Sequence, residues 1–220
     1  MHTIRNLTII GTSHIAIQSV SEVENAIESI SPDIIALELD LARFKRLSSN
    51  KKEKISLRNI GQQGSLISFI GSWVEKYLGK KVGTMPGAEM KKAIFLAKKN
   101  RIKIALIDQD IQITLKKLKT RFSLKEKLKL IMDILKAPFG PRIKIDLTKV
   151  PEQKLINKLT QQVKKNYPSI YKTLIEERNE IMAQRLMQLM KKNNKIIAII
   201  GAGHIEGIIK IIKWNLAKKK

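Results

Sequence analysis

Four short runs of β-branched and aliphatic residues constrain this chain more than anything else in it: "LTII" at 7–10, "IIAL" at 34–37, "IKIALI" at 102–107 and "KIIAII" at 195–200. Each is short, almost continuously apolar and bounded by polar or glycine residues, which is how a strand buried on both faces is written. Helical patterns separate them. After the first run, Val20, Val23, Ile27 and Ile30 recur at helical spacing, Ser19 and Glu22 stand in the arrangement of a capping box, and "SPD" closes the helix at Pro32. Before the third, Met90, Ile94 and Ala97 form a stripe that Asn100 ends, and before the fourth a long helix runs from about Tyr171 to "KNN". Strand, helix, strand within about 30 residues is a βαβ unit, which demands a parallel sheet with helices packed over it. The expected fold is α/β: a mainly parallel central sheet flanked by helices, in a single domain over 1–220. Helical insertions are expected at about 41–83 and 114–168, the second broken by "APFGP" at 137–141. They offer lids, walls or the surface of a homo-oligomer.

Composition narrows what such a fold can do. The chain has no cysteine, so a metal must be held by His, Asp or Glu, and a thiolate nucleophile is excluded. Thr12, Ser13 and His14 interrupt the first apolar run, and the longest such stretch, "LISFIGSWV" at 66–74, falls far short of the roughly 20 residues that span a bilayer. The expectation is a soluble, cytoplasmic chain. The net charge of +24 points to nucleic acid or an anionic membrane surface. Its distribution is uneven: Ile15 to Asp40 holds six acids and no base, whereas "KKLKTRFSLKEKLK" at 116–129 holds seven bases and one acid. No RNA-binding signature or zinc finger accompanies the lysines, so decoration of exposed helix faces accounts for them and nucleic acid is not the expected partner.

Two of the three histidines fall in one repeated pattern, "IIGTSHI" at 9–15 and "IIGAGHI" at 199–205, while His2 lies in what reads as a frayed terminus. A seven-residue pattern is too short for a structural repeat, so it marks matched chemical positions. In each copy a glycine ends a strand and an imidazole follows three residues on, which projects the ring over the sheet edge. The two rings converge only if their strands are neighbours or nearly so. Glu38 follows directly on "IIAL", where a carboxylate needs a cation or hydrogen-bond donors, or caps a nearby helix. Glu89 opens the helix after Pro86 and Gly87, a position the helix dipole also favours. Asp108 and Asp110 in "IDQD" share the strand-end placement, though loops commonly carry aspartate. Arg178 interrupts a helix face formed by Leu174, Ile175, Ile181 and Met182; unpaired burial would cost several kcal/mol, so it must meet a bound anion or ion-pair with Glu38 or Asp108. Two imidazoles with one or two carboxylates match the ligand set of a hydrolytic divalent-metal site.

Taken together, "GTSH", "PDIIALELD", "PGAEM", "LIDQDIQITLKKL", "ERNEIMAQRL" and "GAGHIEGI" resemble the TraB/PrgY family, whose superfamily includes the GumN and TIKI proteins; the blocks cover about residues 8 to 212. The resemblance implies a metal-dependent hydrolase site built from paired GxxH motifs, glutamates and an arginine. TIKI relatives are described as metal-dependent proteases acting on an extracellular signalling protein, and PrgY as limiting peptide-pheromone activity. Carried over residue by residue, it gives a functional role to His14, Glu38, Glu89, Arg178 and His204. The resulting expectation is a peptidase-like hydrolase with a divalent ion, Mn, Co or Zn, on His14, His204 and Glu38. Glu89 is then general base and Arg178 the substrate or oxyanion contact, the two glutamates being able to exchange roles. The substrate is a peptide or small molecule. Rival readings are a non-catalytic protein that sequesters a peptide or ligand in the same cleft, and a basic binder of nucleic acid or membrane surfaces. Many relatives continue into carboxyl-terminal membrane segments whereas this chain stops at "NLAKKK", which implies either a short soluble member or the soluble part of a longer, membrane-associated form. Gln109 also stands where relatives are expected to carry arginine.

Overall fold

The computed structural model describes residues 1–12, 17–49, 87–136 and 152–218. His14, most of the first insertion, the apolar stretch at 66–74 and the break at 137–141 lie outside the described residues. Within them, each expected strand forms at its expected place: β2 is Leu7–Thr12, β3 Ile34–Leu37, β4 Lys103–Leu106 and β5 Ile196–Gly201. They build one sheet in the order β1-β2-β5-β3-β4, parallel throughout except for β1 (His2–Ile4), which pairs antiparallel with β2. The amino terminus is therefore ordered rather than frayed. Arg5, at φ 54, and Asn6 form a two-residue turn, and the Asn6 amide donates to the carbonyls of Met190 (2.9 Å) and Asn193 (2.6 Å). Such a turn usually announces itself with Asn-Gly or Asp-Gly, and "RN" carries no such signal.

Helices cover both faces. Helix α1 (Ile17–Ile30) and α3 (Ala88–Lys99) pack on one side, where Val23, Ala26, Ile27, Met90, Ala93, Ile94 and Ala97 meet Ile35, Leu37, Ile197 and Ile199. On the other side Met182, Ala183 and Leu186 of α8 (Glu177–Met190), with Ile205, Ile208 and Ile212 of α9 (Ile205–Ala217), meet Leu7, Ile9, Ala198 and Ile200. Alternate strand residues feed the two cores, as the two-residue period of a strand requires. Each fully buried isoleucine contributes about 1.5–3 kcal/mol, so neither face can be left bare. The capping box does not form: α1 already runs from Ile17, which puts Ser19 inside the helix and fully buried, and Glu22 accepts a 2.7 Å bond from Gln18 one turn earlier. Asp40 instead caps α2 (Leu41–Ser48), accepting from the Arg43 amide at 2.7 Å.

The described part of the second insertion is helical as expected. It comprises α4 (Ile111–Arg121), α5 (Leu124–Lys136), α6 (Gln153–Asn166) and the short α7 (Pro168–Tyr171). A π-helical stretch, Lys172–Glu176, then leads into α8. Its wider turn shifts the helix face around Arg178. Leu174, Ile175 and Ile181 are only half-buried, whereas Thr173 and Asn179 turn inward with Met182, so the continuous apolar stripe suggested by α-helical spacing is not what forms. No helix among the described residues is long and apolar enough to cross a membrane.

Candidate functional site

The topology selects one edge of the sheet. β2 and β5 are adjacent and parallel with Ile10 opposite Ile199, Gly11 opposite Ile200 and Thr12 opposite Gly201, so the strands bearing the two GxxH patterns run side by side, offset by one residue. The helix after β2 packs on one face and the helix after β5 on the other. That divergence marks the carboxyl ends of these strands as the switch point, the place where ligands gather in doubly wound sheets. At Gly11 an added Cβ would stand 2.1 Å from Ile205 Cδ1, so glycine lets the start of α9 close onto the neighbouring strand.

Four of the five residues given a functional role by the resemblance lie among the described residues. Glu38 emerges from β3 with 3% of its surface exposed, and its Oε2 accepts the Gly201 amide at 2.6 Å. His204 stands immediately before α9, its amide bonded to the Gly201 carbonyl at 2.9 Å. Its Nε2 lies 3.5 Å from Glu38 Oε1, and its Nδ1 lies 2.7 Å from Asn179 Oδ1. A carboxamide oxygen only accepts, so Nδ1 carries the hydrogen and Nε2 is the nitrogen turned toward the carboxylate. Glu89 is buried in the first turn of α3, which begins at this same edge because α3 leads back into the parallel strand β4. Gly87 precedes it at φ +86, a left-handed conformation that suits glycine.

Arg178 is held by carboxylates. Its Nε donates to Asp108 Oδ1 at 2.9 Å and its Nη2 to Asp108 Oδ2 at 2.8 Å; Nη2 also pairs with Glu38 Oε1, and Nη1 donates to the Leu174 carbonyl at 3.2 Å. Burial alone would pull the guanidinium pKa down, but the Asp108 hydrogen bonds and the charges of Glu38 and Asp108 outweigh it and raise it. The ion pair weighed from the sequence thus exists with both carboxylates at once. Asp108 is a buried hub: the Gln109 amide donates to its Oδ1 at 2.8 Å, Arg43 approaches its Oδ2 at 3.6 Å, and Arg185 donates to its carbonyl at 2.6 Å. Asp110 has a different task, capping α4 by accepting from the Gln112 amide at 2.7 Å. The Gln109 amide group reaches Thr114 Oγ1 at 2.8 Å, with Lys117 Nζ 3.5 Å from its oxygen.

Sequence reasoning passed over Asn179, Arg43 and Arg185. Arg185 carried a signal, because it lies seven residues after Arg178 and so on the same helix face. Asn179 depends on Gly207: a Cβ there would stand 2.2 Å from Asn179 Nδ2, so the glycine of "HIEG" is what admits the side chain that orients His204. Two buried polar atoms at this edge, Thr12 Oγ1 and Asp40 Oδ2, have no hydrogen-bond partner among the described residues. Groups of that kind in native proteins call for a ligand, ion or water. Among the described residues no group of three or more His, Asp or Glu could hold a metal ion; His204 and Glu38 are a pair, and His14 lies outside them.

Comparison with known proteins places the chain in a family. The model of the TraB/PrgY/gumN family matches residues 2–219. The uncharacterized protein MJ1365 of Methanocaldococcus jannaschii is 38% identical over 217 residues, covering 94% of this chain and 53% of that protein. The TraB domain-containing proteins of Bos taurus and Homo sapiens are each 22% identical, over 92% and 94% of this chain and 61% and 62% of their own lengths. The chain therefore spans between about half and three-fifths of the curated relatives it matches. With its strand-end glycines, buried carboxylates and arginine all inside the matched span, the chain belongs to the TraB/PrgY/gumN family.

Proposed function

We propose that the crevice between β2 and β5 is the centre of a metal-dependent hydrolase acting on a peptide bond. The observation that carries the reading is His204: one ring nitrogen is fixed by Asn179 while the other faces Glu38 Oε1 at 3.5 Å. Two donors sharing a tetrahedral ion at roughly 2.1 Å each stand about 3.4 Å apart, so this pair fits common ligation. An imidazole whose second nitrogen donates to an oxygen is also the usual state of a metal-ligating histidine. In this reading His204 and Glu38 hold the ion with His14. When bound, a divalent ion of the Mn, Co or Zn type supplies Lewis acidity and acidifies a water.

The remaining roles fall to residues of the chain. Glu89, buried where α3 begins, takes a proton as general base. Arg178 serves chiefly to position Glu38 and Asp108, since Nε, Nη1 and Nη2 are already engaged. That engagement favours a second reading for the same crevice, sequestration of a peptide without turnover, because a guanidinium with four of its five N–H groups spent within the protein is a poor oxyanion contact. Elemental analysis of the purified chain separates the possibilities. Near-stoichiometric divalent metal, lost in His204→Ala, Glu38→Gln and His14→Ala, together with cleavage of test peptides, supports the hydrolase. Metal-loaded protein that returns the peptides intact supports sequestration, and equal metal content in all four proteins overturns both the ligand set and the reaction.

A further inference from the structure

Helix α5 faces the wrong way for a core helix. Leu124, Leu128, Ile131, Met132 and Leu135 recur at helical spacing along an arc of about 100°, yet they are between 49% (Ile131) and 72% (Leu124) exposed. The row runs for about 17 Å at 1.5 Å per residue. Polar contacts hold it in this orientation. The Glu126 carboxylate is buried against the protein, accepting from the Ser123 hydroxyl at 2.8 Å and from the Ser169 amide of α7 at 2.8 Å. Those bonds keep its pKa below the usual carboxylate value although burial pushes the other way. Asp133 accepts from the Tyr167 hydroxyl at 2.5 Å and pairs with Lys129 at 3.6 Å. Both acids of the helix are thus engaged, Glu126 buried and Asp133 at the surface, and with Leu130 and Ile134 half-buried on the inner side the five-residue row points out.

Lysines border the apolar arc. On helical geometry Lys127 lies to one side and Lys125, Lys129 and Lys136 to the other, and Lys116 and Lys119 of the preceding helix α4 are exposed as well. An apolar stripe between basic flanks is the pattern of a helix that lies in a membrane interface. The charge decides among occupants. A second copy would bring another chain of net charge +24 against the same lysines, which self-repulsion opposes. A nucleic acid would meet the lysines but leave five aliphatic side chains in water, and α5 has no aromatic residue on which a base could stack. An anionic bilayer satisfies both halves of the surface at once, apolar residues entering the acyl boundary and lysines meeting headgroups.

We propose that α5 docks this protein peripherally on anionic lipid membranes. The inference is independent of the sheet-edge site. The test is sedimentation of the 220-residue chain with vesicles of phosphatidylcholine alone or with about 30% phosphatidylserine. The wild type should partition onto the anionic vesicles only, and a Leu128→Trp variant should shift its emission to the blue as the ring leaves water. Leu128→Glu with Leu135→Glu, at exposed positions where circular dichroism should show an unchanged fold, should reduce partitioning at least about tenfold. Lys125→Gln, Lys129→Gln and Lys136→Gln should each cost roughly fivefold. No binding to either vesicle overturns the proposal. So does binding that the double glutamate variant retains in full, which would be charge attraction alone, or a dimer that the same variant dissolves without any vesicle binding.

Discussion

Arg178 is the residue whose removal should be felt most. It stands between two carboxylates, Glu38 and Asp108, whose side chains are each 4% exposed, and its own side chain is 16% exposed. Truncation to alanine leaves two buried negative charges facing each other without the hydrogen-bond donors that now neutralise them. Breaking a buried ion pair from one side costs about 3–5 kcal/mol, against the 0–1 kcal/mol of a surface pair. For a chain of this size each kcal/mol moves the melting temperature by about 2–4 °C, so Arg178→Ala should melt about 6–20 °C below the wild type. The assay is a thermal or urea melt followed by circular dichroism. Its control is the triple variant Arg178→Met with Glu38→Gln and Asp108→Asn, in which no uncompensated buried carboxylate remains. That variant should recover at least half of the loss. A single-variant loss below about 1 kcal/mol would refute the reasoning, because the cluster would then be behaving as a solvated surface pair.

Two further outcomes follow from the geometry. Gly207→Ala should displace Asn179, and Asn179→Ala should remove the Nδ1 partner; both should move the His204 ring-nitrogen resonances seen by NMR in the same direction, while His204→Ala leaves no such signal to move. On the acid side, the Glu177 carboxyl is desolvated by burial, but hydrogen bonds from Lys117 (2.7 Å) and Arg121 and their charges outweigh this and hold its pKa below the usual glutamate value. A depressed folded pKa contributes stability that is complete above the unfolded value and lost as pH falls through the folded one. Glu177→Gln should therefore be less stable than wild type near neutral pH, and the difference should shrink progressively as an acid titration passes below the ordinary glutamate range.

How much was legible depends on whether the signal was local. The span Ile34–Leu37 is a strand to the residue because a strand buried on both faces must be written as a continuous apolar run, wherever in the sheet it ends up. Glu38, Glu89, Arg178 and His204 were likewise visible as polar residues at the ends or on the faces of apolar elements. The hairpin of β1 left no trace, since its turn lacks a glycine and its residues are largely exposed. Asn179 was equally silent, because what matters about it is a neighbour 25 positions away and the clearance at Gly207. Helix α5 was legible only as part of a helical, lysine-rich insertion; that its leucines at 124, 128 and 135 face outward follows from where Ser169 and Tyr167 hold Glu126 and Asp133.

The amino-acid sequence alone determined the number and place of the parallel strands, the helices between them and the polar residues at their ends, because each depends on side chains within one or two turns or a few alternating positions. Tertiary structure decided that β5 inserts between β2 and β3, bringing the two glycine-ended strands together, and that Arg178 spends its hydrogen bonds on Glu38 and Asp108. The physical reason is the cover each face requires. Helices α1 and α3 close one side and α8 and α9 the other, and only the packing of all four over a single sheet puts residues 38, 108, 178 and 204 at one edge.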